Sequence, residues 1–153
     1  MNLPQVTLHV ATNQGRLYLF PDPEVAEDLL DLRAVPKRAG AFGFNISGIV
    51  LFAIDRDRLP VHVEIVVPRR AWIQTSLGAR PTADQVADIR FTDETIEKKY
   101  VEAPTTVFTD ADYSCAQVLF GDTTEGQTWV SLSEKCLALV SGDSLMGFFV
   151  DFK

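Results

Sequence analysis

Alternation of apolar and polar residues constrains this chain more than any other feature. A period of two lays every second side chain on one face of an extended strand, so a half-buried sheet is the state that satisfies it. The pattern is complete in Val6-Thr7-Leu8-His9-Val10 and in Val61-His62-Val63-Glu64-Ile65. Further strands read near residues 105–109, 116–120, 127–132, 136–140 and 145–152. Between these runs lie turn-forming clusters: Asp55-Arg56-Asp57-Arg58, Asp110-Ala111-Asp112, Gly121-Asp122, Glu125-Gly126 and Ser141-Gly142-Asp143. The expectation is a mainly β (α+β) chain of antiparallel strands with one or two short helices. Residues 6–10 and 16–20 flank Thr12-Asn13-Gln14-Gly15 and read as an opening hairpin. Residues 46–54 read as one buried strand, preceded by a basic, glycine-containing loop over 37–43, and a further strand falls near 98–101.

Two segments carry helix signals. Asp22 suits an N-cap and Pro23 the first helical position, and Val25, Leu29 and Leu32 then share a stripe. Arg33 lies where the helix dipole favours a cation, and Pro36 forbids continuation. Further on, Thr82-Ala83-Asp84-Gln85 fits a capping box, predicting a short helix to about Ile89.

The chain also matches itself. Ile46-Ser47, Val50-Leu51, Ile54, Asp57 and Leu59 correspond without a gap to Leu132-Ser133, Cys136-Leu137, Val140, Asp143 and Leu145. Tyr18-Leu19-Phe20 resembles Val118-Leu119-Phe120, and Val63-Glu64-Ile65 resembles Val150-Asp151-Phe152 after one gap. The expectation is one domain over 1–153, holding two related meanders, 1–75 and 97–153, joined by a loop-helix segment over 76–96.

The same residues carry a family likeness. Gly15-Arg16-Leu17-Tyr18-Leu19, then Gly48-Ile49-Val50-Leu51-Phe52-Ala53-Ile54-Asp55, then the run from Leu59 that ends in Val63-Glu64-Ile65, resemble a small bacterial β-meander family of unassigned function. Its members carry a D-x-L-Y-I strand and a later strand pair ending in G-I-E-I. This chain lacks the leading Asp of the first motif and has Val61-His62 where the family has a small residue. The likeness covers the first half and part of the second, and it implies a meander fold without an activity.

With 14 basic and 21 acidic residues the formal net charge is −7. Nucleic-acid binders and anionic-membrane binders gain affinity from surplus Lys and Arg, so this balance argues against both and permits a basic protein partner. The first eleven residues lack the basic region and apolar core of a signal peptide. The longest apolar stretch, 49–54, is far too short to span a bilayer. Two cysteines, Cys115 and Cys136, are expected as reduced, packed thiols in the cytoplasm.

No motif carries chemistry by itself. There is no G-x-S-x-G, no C-x-x-C, no H-x-x-x-H and no phosphate-binding glycine run; Gly40-Ala41-Phe42-Gly43 has no following Lys-Ser/Thr. Asp55 with Asp57, and Asp110 with Asp112, suit turns better than a cation loop. His62 and Glu64 share a strand face but sit about 7 Å apart along it, too far for a base and its orienting acid. No catalytic residue, cofactor or metal is therefore expected.

What remains is surface. Glu24, Glu27, Asp28 and Asp31 form an acidic edge on the expected helix, and Asp110, Asp112, Tyr113, Asp122 and Glu125 near Trp129 form an acidic zone with aromatic anchors. The expected function is a non-catalytic acidic protein that occludes a protein partner, in the manner of an immunity or antitoxin-like inhibitor. Three rivals stay open: a small-ligand binder with Phe42, Phe44, Phe52, Trp72 and Phe148 around a cavity, an enzyme assembled only in three dimensions around His62 and Glu64, and a structural subunit using an edge strand.

Overall fold

A computed structural model describes residues 3–10, 18–21, 30–121 and 126–152. Fourteen strands among them form two sheets: β1 (Val6–Val10), β2 (Tyr18–Pro21), β3 (Leu30–Val35), β4 (Phe42–Ile46), β5 (Val50–Ile54), β6 (Pro60–Ile65), β7 (Ile73–Gln74), β8 (Gln85–Phe91), β9 (Tyr100–Val101), β10 (Thr105–Thr109), β11 (Cys115–Phe120), β12 (Gln127–Ser133), β13 (Cys136–Ser141) and β14 (Ser144–Asp151). A 3-10 turn, Arg69–Ala71, and one helix, α1 (Asp93–Lys98), complete the described elements. The larger sheet runs β1-β8-β12-β13-β14-β11-β10-β7, and the smaller β2-β3-β6-β5-β4-β9. Most pairs are antiparallel, but β7–β10, β8–β12 and β4–β9 are parallel, so both sheets are mixed.

The inner faces explain the assembly. Inward residues of the smaller sheet, such as Leu32, Phe52 and Val63, meet Phe91, Phe120 and Phe148 of the larger one in a single buried cluster. Phe52 stacks on Phe44 at 4.6 Å and reaches Phe91 at 5.3 Å and Phe148 at 6.3 Å. Burying each such ring contributes about 1.5–3 kcal/mol, so this aromatic column is a principal bond between the sheets.

The two sheets repeat one connectivity. Orders β2-β3-β6-β5-β4 and β10-β11-β14-β13-β12 correspond strand for strand. A shift of 86 residues (20 to 106, 33 to 119) carries the pair Phe20↔Arg33 onto Thr106↔Leu119, and Gly43↔Ala53 onto Trp129↔Leu139. Each copy has a register irregularity at the matching place, after Ala53 and after Leu139. The ungapped match of 46–59 with 132–145 is this same shift. Tyr18-Leu19-Phe20 does not follow it: the counterpart of β2 is β10, not the β11 residues Val118-Leu119-Phe120.

Several local expectations are corrected. β1 pairs with β8 and β2 with β3, in different sheets, so no opening hairpin forms. The turn between β1 and β2 lies outside the described residues. The expected helix over 22–33 is a strand where it is described: Leu30, Leu32 and Ala34 point into the core, and β3 pairs with both β2 and β6. Residues 46–54 are not one strand but the end of β4, a turn over 47–49 and β5: Ser47 and Gly48 both take positive φ, 52° and 70°, and the Ile49 amide donates to the Ile46 carbonyl at 2.8 Å. The helix expected after Thr82 is strand β8, with Ala87, Ile89 and Phe91 buried. The helix that forms begins at Asp93, where the Thr92 hydroxyl accepts from the Thr95 amide at 3.3 Å, and it occupies the start of the strand expected near 98–101.

Candidate functional site: a cationic hollow on the smaller sheet

The outer face of the smaller sheet is built from two cross-strand rows. One runs Phe20, Arg33, His62, Ala53, Gly43; the next runs Asp31, Glu64, Leu51, Asn45, Tyr100. Directly opposed residues on a sheet lie about 4.5–5.5 Å apart, so register alone sets Arg33 beside His62 although 28 positions separate them between 33 and 62. Small residues at Ala53 and Gly43 leave a depression beside them. The loop after β3 then folds over it: the Ala41 amide donates to the Ile54 carbonyl at 2.7 Å, and Gly40 lies so close that a Cβ there would stand 3.2 Å from the Ala53 Cβ.

The result is an open hollow of about 540 Å³. Arg33, Lys37, Arg38 and His62 line it, with Gly40 and Ala53 between them. Carboxylates hold these side chains from behind. Asp31, only 5% exposed, pairs with Arg33 Nη2 at 3.3 Å and with His62 Nε2. Asp31 Oδ1 and His62 Nε2 are both sealed from solvent and have no other partner among the described residues. Arg38 Nη1 reaches Asp55 at 3.0 Å and Asp57 at 3.4 Å. Asp55 is itself fixed by the Asp57 and Leu59 amides, each donating to its Oδ1 at 2.9 Å. The Asp55–Asp57 pair thus forms a turn and anchors an arginine.

Chemically, a buried carboxylate orients a histidine at the edge of a basic hollow. Among the described residues, no serine, threonine or cysteine lines it. Among the described residues, no three His, Cys, Asp or Glu side chains converge as a metal site. Cys136 is fully buried, which pushes its thiol up to about 12, and burial also raises Cys115. Both are free thiols, and neither has the lowered pKa of a reactive one. The lining offers hydrogen-bond donors from Lys37, Arg38 and His62.

The residues singled out from sequence fall elsewhere or apart. Glu24, Glu27, Asp28, Asp122 and Glu125 lie outside the described residues. Asp31 is not on an exposed helix edge: it is buried in β3 behind His62. Asp110 is committed to its own turn, accepting from the Ser114 amide at 2.7 Å and from the Ser114 hydroxyl, and those bonds hold its carboxyl below the usual range. Asp112 is exposed beside it. Tyr113 packs on Trp72 at 6.3 Å, with the Arg69 guanidinium 5.6 Å from its ring. Trp129 lies in β12, with β13 and β14 between it and β11, and packs edge-on against Phe149. Asp110, Asp112 and Tyr113 therefore do not form one patch with Trp129.

Nor do the five aromatics proposed for a cavity line one. Phe44, Phe52 and Phe148 fill the core, Phe42 is exposed, and Trp72 stacks on Phe152 at 6.2 Å. A void between the sheets beside Leu19 and Leu132 holds about 10 Å³, no more than one water. Sequence reasoning missed Arg33, Lys37 and Arg38. The available signal was the alternation Leu30-Asp31-Leu32-Arg33-Ala34, which reads as a strand opposite Val61-His62-Val63.

Fold and site define a two-sheet β protein with a basic hollow on one outer face. No family model matches this chain, and no curated protein does. Among the described residues no helix is long and apolar enough to cross a membrane.

Proposed function

We propose that this is a non-catalytic binding protein that recognises a protein partner through the outer face of its smaller sheet and acts by occluding it, as an immunity or antitoxin-like inhibitor does. The observation that carries the reading is the pair of rows on that face. Tyr100 is 52% exposed and Leu51 38%, and they flank a row of Arg33 and His62 at the hollow. Aromatic and aliphatic anchors beside an arginine, with a polar rim, are the make-up of interface centres. The face carries both signs, Arg33, Lys37 and Arg38 beside Asp31, Asp55, Asp57 and Glu64, so the partner's contact surface is polar and mixed in charge there. Two free thiols fit a cytoplasmic setting. The shared strand order of the sheets supports a duplicated unit whose first copy carries recognition.

Site-specific photo-crosslinkers at Leu51 and Tyr100, with Val86 on the larger sheet as control, test the reading in native extract. A discrete crosslinked partner from Leu51 and Tyr100 and none from Val86 is expected. Equal labelling from all three positions refutes the assignment. The size of the hollow favours a second reading, a free small-molecule anion, because ligand sites span about 300–1,000 Å³.

A further inference from the structure

We infer that the outer face of the smaller sheet is self-complementary, so that without its partner two copies of the chain cover each other's face in a weak, twofold dimer. The inference rests on the proposed function in taking that face as the recognition surface, and it adds a second occupant that competes for it.

A twofold contact sets each group against another group of the same patch, so the patch must hold both signs of charge and its own apolar contacts. In sum the cations Arg33, Lys37 and Arg38 are matched by Asp31, Asp55 and Asp57. The pairing is uneven. Arg38 engages both Asp55 and Asp57, and neither Lys37 nor Glu64 makes an ion pair with a described residue. One charge of each sign is thus left over, and the two lie on opposite sides of the row Arg33, His62, Ala53. Glu64 stands one pair from that row on the Leu51 side, and Lys37 follows the far end of β3. A twofold axis through His62, perpendicular to the sheet, exchanges those sides. It brings Lys37 of each copy toward Glu64 of the other.

The apolar residues obey the same operation. From His62, Leu51 lies one strand over and one pair toward Glu64, while Val35 lies one strand over the other way and one pair back. The axis therefore superimposes Leu51 on Val35, and both are exposed, 38% and 52%. Small side chains at Ala53 and Gly43 let the copies approach beside the axis. Exposed apolar side chains gathered on one face mark an association site. On the larger sheet Ile73 and Val86 instead lie on β7 and β8, toward opposite ends of its strand order. Six strands about 4.8 Å apart, with about five residues of 3.3 Å each, give a face of about 400 Å² in projection. Two such faces fall below about 1,200 Å², the transient class of contact that a partner can displace.

Sedimentation velocity of the purified full chain over a concentration series tests the dimer. A monomer–dimer equilibrium with a Kd of about 10–100 µM is expected, weakening with salt as the exposed charges are screened. Lys37→Glu and Glu64→Lys should each weaken it at least about tenfold, because the symmetry sets like charges together twice. A 1:1 mixture of the two variants is the decisive sample. One contact then keeps the natural pair and the other holds it reversed, so the mixture should associate within about threefold of the parent. Recovery in the mixture also shows that both variants fold. A parent chain monomeric at about 1 mM, a dimer indifferent to both reversals, or a mixture no more associated than either variant alone overturns the inference. Crosslinking from Leu51 in extract separates the two readings. A second protein captured there by a chain that does not dimerise removes this inference alone; a dimer with no second protein captured removes the occluding role and leaves the self-complementary face.

Discussion

Replacing Asp31 separates two incompatible pictures of the same residue. On an exposed acidic helix edge, Asp31→Ala would remove like-charge repulsion and stabilise the chain by a few tenths of a kcal/mol. In β3 the same change removes the only partner of a sealed imidazole nitrogen, since His62 Nε2 faces Asp31 Oδ1 and nothing else among the described residues. Orphaning a buried donor costs about 1–3 kcal/mol. The Arg33 contact adds little, because that side chain is half exposed and water replaces the carboxylate. Relief of a desolvated carboxylate offsets part of the loss, which leaves a net destabilisation of about 2 kcal/mol. Asp31→Asn keeps an acceptor for the ring and should cost under about 1 kcal/mol. Urea unfolding at pH 7.5 reads this as a midpoint lowered by about 1 M for Asp31→Ala, given slopes of about 1–3 kcal/mol/M. In a double-mutant cycle with His62→Ala, the two changes should couple by about 1 kcal/mol or more. An Asp31→Ala variant as stable as the parent, or a coupling near zero, refutes the buried pair and with it the orientation of His62.

Three further outcomes follow from local geometry. A Cβ at Gly147 would stand 1.9 Å from the Val118 carbonyl oxygen, so Gly147→Ala must part β14 from β11 and should cost about 3 kcal/mol or more, read as loss of a cooperative urea transition; a variant within about 1 kcal/mol of the parent contradicts that close approach. Cys136 should resist a thiol reagent in the folded state while Cys115 reacts slowly. Its thiol stays protonated toward pH 12 when folded but ionises near 9 when unfolded, so stability should fall as pH rises through that window, and the fall should flatten in Cys136→Ala. Ser114→Ala removes the hydroxyl bond to Asp110 and keeps the amide bond, so its carboxyl, now depressed, should titrate nearer the ordinary range by carbon NMR; the hydroxyl bond's contribution, present at neutral pH and lost as pH falls through the depressed value, goes with it.

How much was legible in the sequence depended on whether one periodicity stood alone. Strands such as Thr105–Thr109 and Cys136–Ser141 have a single reading and a turn at each end, and they form close to where the pattern puts them. Residues 30–35 satisfy two templates at once, because Leu29 and Leu32 complete a helical stripe while Leu30, Leu32 and Ala34 alternate. Pairing decides between them: Leu30 meets Ile65 and Leu32 meets Val63 across the ladder, partners that no local window contains. The capping box at Thr82 failed in a related way. Asp84, read as part of a cap, instead accepts from the Trp129 amide at 2.8 Å and splices β8 onto β12. The hollow was illegible for the same reason, since it is a property of register and not of any run of residues.

The repeat makes the location of the site intelligible. Equivalent outer rows read Phe20, Arg33, His62, Ala53, Gly43 on one sheet and Thr106, Leu119, Gly147, Leu139, Trp129 on the other. Inward positions of both copies stay apolar, because each must fill one shared core at close packing. Outward positions carry no such demand, and there the copies part company. In the larger sheet Leu137, Leu139 and Phe149 are nearly inaccessible on that side, whereas the smaller sheet presents charge, small residues and two exposed anchors. The buried outer side at these positions supports the proposed recognition through the smaller sheet. There Gly43 and Ala53 stand where the larger sheet has Trp129 and Leu139, which leaves the hollow open between Arg33 and Lys37.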